Sequence, residues 1–335
     1  MTRALIIAPQ WIGDAVMTEP LLRRLNARGL RLTVGALPWV APVYRAMPQV
    51  AEVIEFPFAH GGLQLRERRQ LARKLGGQFD VAYICPNSLK SALLPFLAGI
   101  PERVGYLGEA RVGLLTRRLK NPPKGQRPPM VAFYSALSGE PDVARDRPQL
   151  QLKATEVDAI LSQLGLQRGN YHVLAPGAEY GPAKRWPTHH FAELARHLAR
   201  PVVLLGSGKE ADLCAEIAQG VAAGNAASHL FNLAGKTSLA QALSLISAAQ
   251  SVVSNDSGLM HVAAGFGVPQ VAIFGSSSPL HTPPLNDAAR VVWLKNDPTY
   301  QPALDCAPCF ERVCPLGHTR CLNDIRPARV LQLLS

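Results

Sequence analysis

The sequence predicts an α/β protein made of two doubly wound parallel-sheet domains. Short continuous aliphatic runs alternate with helix-period segments along the whole chain, the pattern of buried parallel strands joined by crossover helices. The alternation pauses at Ser138–Pro148, a stretch with two prolines, one glycine and three acids that reads as an interdomain linker, and restarts after it. The 335 residues suffice for two cores of ordinary size, expected over 1–150 and 151–335.

The elements follow in order. Ala4–Ala8 reads as a first buried strand, and Pro9–Asp14 as a tight loop. A helix is expected from about Ala15 to Ala27. Val16, Leu21, Leu22 and Leu25 form its apolar face, Arg23, Arg24 and Arg28 lie where the dipole favours cations, and Gly29 ends it. Arg31–Leu37 makes a strand–helix–strand unit, so the pairing is expected to be parallel. Val50–Phe56, Phe79–Ile84 and Arg103–Val104 read as further strands, with a basic helix at Leu63–Leu75 and an apolar one at Leu89–Ala98 between them. Ser91–Ile100, apolar around Pro95, reads as core rather than a membrane-touching lip. Met130–Leu137 is one more helix.

In the second half, helices are expected at Thr155–Leu164, Thr188–Ala199, Lys209–Val221 and Ser238–Ala249. Strands are expected at Tyr171–Ala175, Val202–Gly206, Leu230–Leu233, Ser251–Val253, Gln270–Phe274 and Arg290–Trp293. Ligands of such sheets bind beyond the carboxyl ends of the strands, and two such domains would share a cleft.

Hydrophobic residues make up 47% of the chain and charged ones 18%, which fits a globular enzyme and excludes a disordered or fibrous protein. No apolar run is long enough to span a bilayer. The run after Met1-Thr2-Arg3 is too short for a signal peptide, so a cytoplasmic protein is expected. The net charge of +11 is lopsided: residues 1–150 carry 21 Lys and Arg against 11 Asp and Glu, and the remainder 14 against 13. A basic half suits nucleic acid, a membrane surface or a phosphorylated substrate. Its cations cluster at Arg66, Arg68, Arg69, Arg73 and Lys74 on one helix. A second group, Arg111, Arg117, Arg118, Lys120, Lys124 and Arg127, lies in a proline-rich loop that would suit a clamp over phosphate. Few aromatic residues interleave them and no nucleic-acid-binding signature is present, which sets nucleic acid aside.

Four segments carry candidate chemistry. Ser254-Asn255-Asp256-Ser257-Gly258-Leu259-Met260-His261 turns a strand into a helix over Ser257–Phe266, whose free N–H groups and dipole make an anion site. Gly258 permits close backbone approach. The plainer alternative is that Asp256 or Ser257 only caps the helix. Gly13-Asp14, after the first strand, places a carboxylate where it would take a proton from a hydroxyl nucleophile, or serve merely as a first-turn acid. Pro176–Pro187 holds two glycines and the adjacent cations Lys184 and Arg185, suited to a phosphate, with Trp186-Pro187 as its anchor. Gly206-Ser207-Gly208-Lys209-Glu210 fails the P-loop pattern at Val203 and Glu210, and the first strand is not followed by a dinucleotide fingerprint.

Finally, Cys306, Cys309, Cys314 and Cys321 crowd the C-terminal region with His318 among them. Their density would suit structural zinc, but the spacing matches no common zinc module, so reduced cysteines in a loop are the expectation and no metal is assigned. Cys85 and Cys214 read as buried small residues.

Taken together, Trp11-Ile12-Gly13-Asp14, the Pro176-Gly177…Lys184-Arg185-Trp186-Pro187 loop and Asn255–His261 resemble the ADP-heptose:lipopolysaccharide heptosyltransferases of glycosyltransferase family 9. The likeness covers nearly the whole chain. The Trp-Ile-Gly-Asp opening and the cysteine-rich tail, followed by Asp324-Ile325-Arg326-Pro327, resemble the branch that adds the second heptose of the inner core. The resemblance implies a GT-B fold, with an N-terminal Rossmann-like domain for the acceptor and a C-terminal one for the ADP-sugar. It implies inverting transfer of L-glycero-D-manno-heptose from ADP-heptose, without metal or other cofactor, to a Kdo-lipid A heptosyl acceptor at the inner membrane. On this reading Asp14 is the general base and Lys184 neutralises the leaving diphosphate. Gly13, Gly177, Glu179, Asp256, Ser257 and Gly258 contact substrate, and His261 lines or braces the site. The chain departs from relatives at Gly177-Ala178-Glu179, where paired hydroxyl residues are frequent. The alternatives are the first-heptose branch, another GT-B nucleotide-sugar transferase, or a non-enzymatic protein that binds anionic glycolipid or nucleic acid.

Overall fold

The computed structural model describes residues 1–59, 62–123, 126–140, 146–223 and 229–334. The chain divides into two compact units, Met1–Gln151 and Leu152–Ser335.

The first unit is a six-stranded parallel sheet: β1 (Arg3–Ile7), β2 (Arg31–Ala36), β3 (Val50–Glu55), β4 (Val81–Ile84), β5 (Glu102–Tyr106) and β6 (Arg117–Leu119), in the order β3-β2-β1-β4-β5-β6. β1 is buried between β2 and β4, so its aliphatic run is continuous rather than alternating. Leu5, Phe56, Leu75, Ile84, Leu94 and Leu115 belong to one core cluster. The apolar helix Leu89–Leu97, with Pro95 inside it, buries Ser91, Ala92, Leu94 and Pro95.

The second unit repeats the architecture with β7 (His172–Ala175), β8 (Val202–Leu204), β9 (Leu230–Asn232), β10 (Ser251–Asn255), β11 (Gln270–Ile273) and β12 (Ala289–Val292), ordered β12-β11-β10-β7-β8-β9. All its pairings are parallel. Leu174, Trp186, Phe191, Ile217, Val253 and Ile273 pack together in its core.

Several expectations are corrected. The helix expected over Ala15–Ala27 is two helices, Ile12–Met17 and Glu19–Ala27, meeting at Thr18. Pro20 opens the second, where its missing N–H costs no bond, and Glu19 is buried with its carboxylate accepting from Gln49 and the Gln149 N–H. Asp14 therefore lies within the first helix rather than in a loop. A helix not anticipated occupies Ala41–Arg45. Arg117 and Arg118 belong to the edge strand β6, where exposed charge discourages further pairing, and Arg117 faces Glu102 at 3.8 Å. Lys124 lies outside the described residues, as does 141–145 of the expected linker. The described flanks of that linker are bound to the first unit: Arg24 bridges Glu140 at 2.8 Å and Asp146 at 2.6 Å, and Arg28 donates to the Ser138 carbonyl.

Candidate active site

In each sheet, strand order reverses once: between β1 and β4 in the first unit and between β7 and β10 in the second. At such a point neighbouring loops diverge to opposite faces and leave a crevice beyond the carboxyl ends. The candidate residues lie at these two points.

In the first unit, the segment after β1 and the segment after β4 line a cavity of about 600 Å³, within the range of small-molecule sites. Asp14, Trp11, Asn87, Lys90, Arg68 and Tyr134 are on its wall. Gly13 is buried in the turn beside Asp14. Asp14 Oδ1 accepts a 2.9 Å hydrogen bond from the Tyr134 hydroxyl. Burial raises the Asp14 carboxyl above the ordinary value, and the Tyr134 bond partly offsets this. The neighbouring Cys85 thiol is pushed up to about 12 by burial and by the Asp14 charge. The result is a carboxylate held in a poorly solvated wall with one fixed donor, suited to a general base.

Arg68 is buried, not part of a solvated face: its guanidinium lies 4.2 Å from the centre of the Phe58 ring and donates to the Leu63 carbonyl. Arg66, Arg69, Arg73 and Lys74 are exposed. Arg111 is fully buried and donates to the carbonyls of Tyr106 and Pro86 and to Asn87. It holds the loop after β4 in shape, so it does not serve in a surface clamp.

In the second unit, Asn255 ties the two switch-point loops together. Its amide donates to the Pro176 carbonyl at 2.6 Å and its side-chain oxygen accepts the Trp186 N–H at 3.0 Å. Trp186, 1% exposed, anchors the loop as expected and donates through Nε1 to the Ile325 carbonyl. The anchored loop delivers Lys184, whose Nζ donates to Asp256 Oδ2 at 2.5 Å. Thr282 donates to the other oxygen at 3.4 Å.

The helix Gly258–Gly265 begins here, and no side chain caps it. The plain capping alternative for Asp256 and Ser257 therefore fails: Asp256 is engaged by Lys184, and the buried Ser257 hydroxyl has no partner in the protein. His261, one turn into the helix, is buried, and burial holds its imidazole down to about 4 despite the charge of Asp256. It is neutral at physiological pH.

Gly177 lies close against the Glu210 carboxylate. A Cβ there would lie 2.0 Å from Glu210 Oε1. Glu210 in turn accepts from the Ser207 N–H and hydroxyl, so the Gly206–Glu210 turn is closed on itself rather than open to phosphate. Glu179 is exposed and pairs with Lys209 at 2.8 Å. Sequence reasoning missed Tyr134, Thr282 and the buried Ser276 and Ser277, whose hydroxyls have no protein partner. Only the run of serines after β11 offered a signal.

The C-terminal cysteines are all reduced and line one small cavity with His318. Among the described residues, no three His, Cys, Asp or Glu side chains are placed to share a metal ion.

Residues 68–319 match the sequence model of glycosyltransferase family 9 (heptosyltransferase). The chain is 41% identical to lipopolysaccharide heptosyltransferase 2 of Escherichia coli K12, across 99% of this chain and 97% of that one. It is 40% identical to lipooligosaccharide heptosyltransferase 2 of Haemophilus influenzae, across 87% and 88%. The solved structure of E. coli ADP-heptose lps heptosyltransferase II superposes with a TM-score of 0.83 at 39% identity, covering 99% of this chain and 97% of that one.

Proposed function

The chain belongs to glycosyltransferase family 9, the heptosyltransferases, and from that premise we propose that it transfers a heptose from ADP-heptose to the first heptose of a lipopolysaccharide inner core. It is a glycosyltransferase of GT-B fold. The choice of the second-heptose reaction is supported by the 41% identity to a heptosyltransferase 2, against 27% to lipopolysaccharide heptosyltransferase 1 of Pseudomonas aeruginosa.

The observation that carries the mechanism is the Lys184–Asp256 bond at the β7–β10 switch point. Asp256 fixes the ammonium of Lys184 beside the uncapped helix start, where Ser257 adds a free hydroxyl. A leaving diphosphate develops charge as the glycosidic bond breaks, and fixed donors in a poorly hydrated site stabilise that charge without reorganisation. The ammonium, the Ser257 hydroxyl and the N–H groups at Gly258 and Leu259 supply this. Gly177 lets the Glu210 carboxylate pack close to its loop, and His261 stays buried and neutral one turn into the helix, within electrostatic reach of Asp256 and Lys184.

In the first unit, Asp14 takes the proton from the acceptor hydroxyl, which attacks the anomeric carbon and displaces ADP with inversion. Tyr134 aims the carboxylate. The first unit thus binds acceptor and the second binds donor. Exposed cations on the helix Leu65–Leu75 favour an anionic lipid surface, each worth about 1 kcal/mol near such a surface, which supports peripheral attachment at the inner membrane. Among the described residues, no helix is long and apolar enough to cross a membrane.

The test is transfer to heptosyl-Kdo₂-lipid A with EDTA present, comparing ADP-heptose with UDP- and GDP-sugars. Turnover with ADP-heptose alone is expected. Activity only on an acceptor lacking the first heptose would move the reaction to the first-heptose branch.

A further inference from the structure

We infer that Arg312 supplies a second fixed cation to the diphosphate of the donor, held beside Lys184 by the ring of Tyr180. This role rests on the ADP-sugar donor reading proposed above, and it gives the strap Phe310–Arg312 a part in that site. The need for such a cation follows from charge. A leaving diphosphate carries more than one negative charge, whereas the Lys184 ammonium bonded at 2.5 Å to Asp256 belongs to a pair with no net formal charge. The helix start at Gly258 adds only about half a charge. Other cations on the loops beyond the carboxyl ends are turned to protein groups. Lys209 pairs with Glu179 at 2.8 Å, Lys236 donates to the Asn232 carbonyl at 3.0 Å, and Arg185 donates to the Ala178 carbonyl at 3.3 Å. Arg312 is exposed, and no carboxylate among the described residues pairs with its guanidinium.

The main chain brings Arg312 to this place. The Phe310 N–H donates to the Ser276 carbonyl at 2.7 Å, just beyond β11, and the Tyr180 hydroxyl donates to the Phe310 carbonyl at 2.8 Å. The Ala183 N–H donates to the Arg312 carbonyl at 3.1 Å. Gly181 lies so close that a Cβ there would be 2.5 Å from the same oxygen. Phe310 holds φ at 55°, in the left-handed region that favours glycine, and these contacts on both sides keep it there. The short loop that presents Lys184 therefore also fixes the backbone of Arg312.

Tyr180 then sets the two side chains. The Arg312 Cζ lies 5.0 Å and the Lys184 Nζ 5.5 Å from the centre of its ring. The electron-rich face of an aromatic ring attracts each cation, which offsets the repulsion of two like charges held close together. The guanidinium offers a planar fork that matches two phosphate oxygens, where the ammonium acts as a point charge. A diphosphate drawn to Lys184 and the helix start thus meets a second donor whose charge no carboxylate cancels.

The experiment is calorimetry of ADP and adenosine binding to the full-length protein and to Arg312→Gln, Arg312→Lys and Arg200→Gln. Arg200 is the control, an exposed cation beside the start of β8 at the opposite edge of the same sheet, where it donates to the Gly169 carbonyl. Arg312→Gln should weaken ADP by about tenfold and Arg312→Lys by about threefold, because the ammonium keeps the charge and loses the fork. Adenosine affinity and the Tm of the free protein should not change, since the guanidinium is exposed and makes no hydrogen bond among the described residues. ADP affinity in Arg312→Gln within about twofold of the unmodified protein would overturn the role of Arg312, as would an equal loss in Arg200→Gln. An equal loss with adenosine would set Arg312 against the base and overturn its phosphate role. Failure of the unmodified protein to bind ADP would overturn the donor reading and this role with it, an outcome distinct from ADP binding that ignores Arg312.

Discussion

The hydroxyl of Tyr134 donates a 2.9 Å hydrogen bond to Oδ1 of Asp14, joining two residues 120 positions apart at the wall of one cavity. Burial raises the Asp14 carboxyl and this bond lowers it. The proton a general base must accept is therefore set by two opposed effects on a single group.

Removing the bond should move the base in a known direction. In Tyr134→Phe the carboxyl loses its stabilising donor, so the acid limb of the kcat/KM profile should shift to higher pH. The rate on the high-pH plateau should change by less than about tenfold, because the carboxylate itself remains. A limb that stays in place or moves down would show that Tyr134 does not tune Asp14.

Lys184 and Asp256 should behave as one unit. Lys184→Met leaves a buried carboxylate unpaired and should destabilise the protein by about 3 kcal/mol, at the low end for a broken buried pair. Adding Asp256→Asn should restore much of that loss in urea unfolding, while ADP affinity stays weakened by about 10-fold to 100-fold in both variants. Additive losses in stability would mean the two side chains do not interact in solution.

His261 gives a pH dependence of stability. Its imidazole titrates at about 4 in the folded chain, against 6.5 ordinarily. Between those values the unfolded chain binds a proton that the native state refuses, so this contribution to stability is present above about 6.5 and lost as pH falls toward about 4. His261→Asn should flatten that part of the stability curve, measured by urea unfolding at a series of pH values. An unchanged slope would place His261 in a protonatable setting.

Gly177→Ala forces a methyl group into the Glu210 carboxylate, 2.0 Å from Oε1. Either the Glu210 carboxylate gives up its bonds to Ser207 or the β7 loop shifts, at about 1–3 kcal/mol. Because the same loop carries Lys184, ADP binding should weaken together with thermal stability. Calorimetry showing neither effect would mean that Glu210 rotates away freely.

Much of this architecture is legible in the sequence because parallel strands buried on both faces leave unbroken aliphatic runs, as β1, β7 and β10 do. The helix break at Thr18 is less legible, since Pro20 signals a helix start only if the preceding turn is known to end. β6 has two exposed arginines in three residues and no alternation, so nothing local marks it as a strand. Arg111 has the sequence surroundings of a surface cation, and only the carbonyls that converge on it in the fold show otherwise. Asp14, Lys184 and Asp256 stood out because strand–loop–helix junctions are recognisable. Tyr134 did not, because its role depends on a contact across the unit that no spacing encodes.

The most direct measurement is the single-turnover rate of heptose transfer from ADP-heptose to heptosyl-Kdo₂-lipid A by Asp14→Asn, alongside its ADP affinity. A rate lower by about 10²-fold to 10⁴-fold is expected, with ADP affinity within about twofold of the unmodified enzyme. A rate within a few-fold of the unmodified enzyme would contradict the role of Asp14 as the base and with it the proposed mechanism.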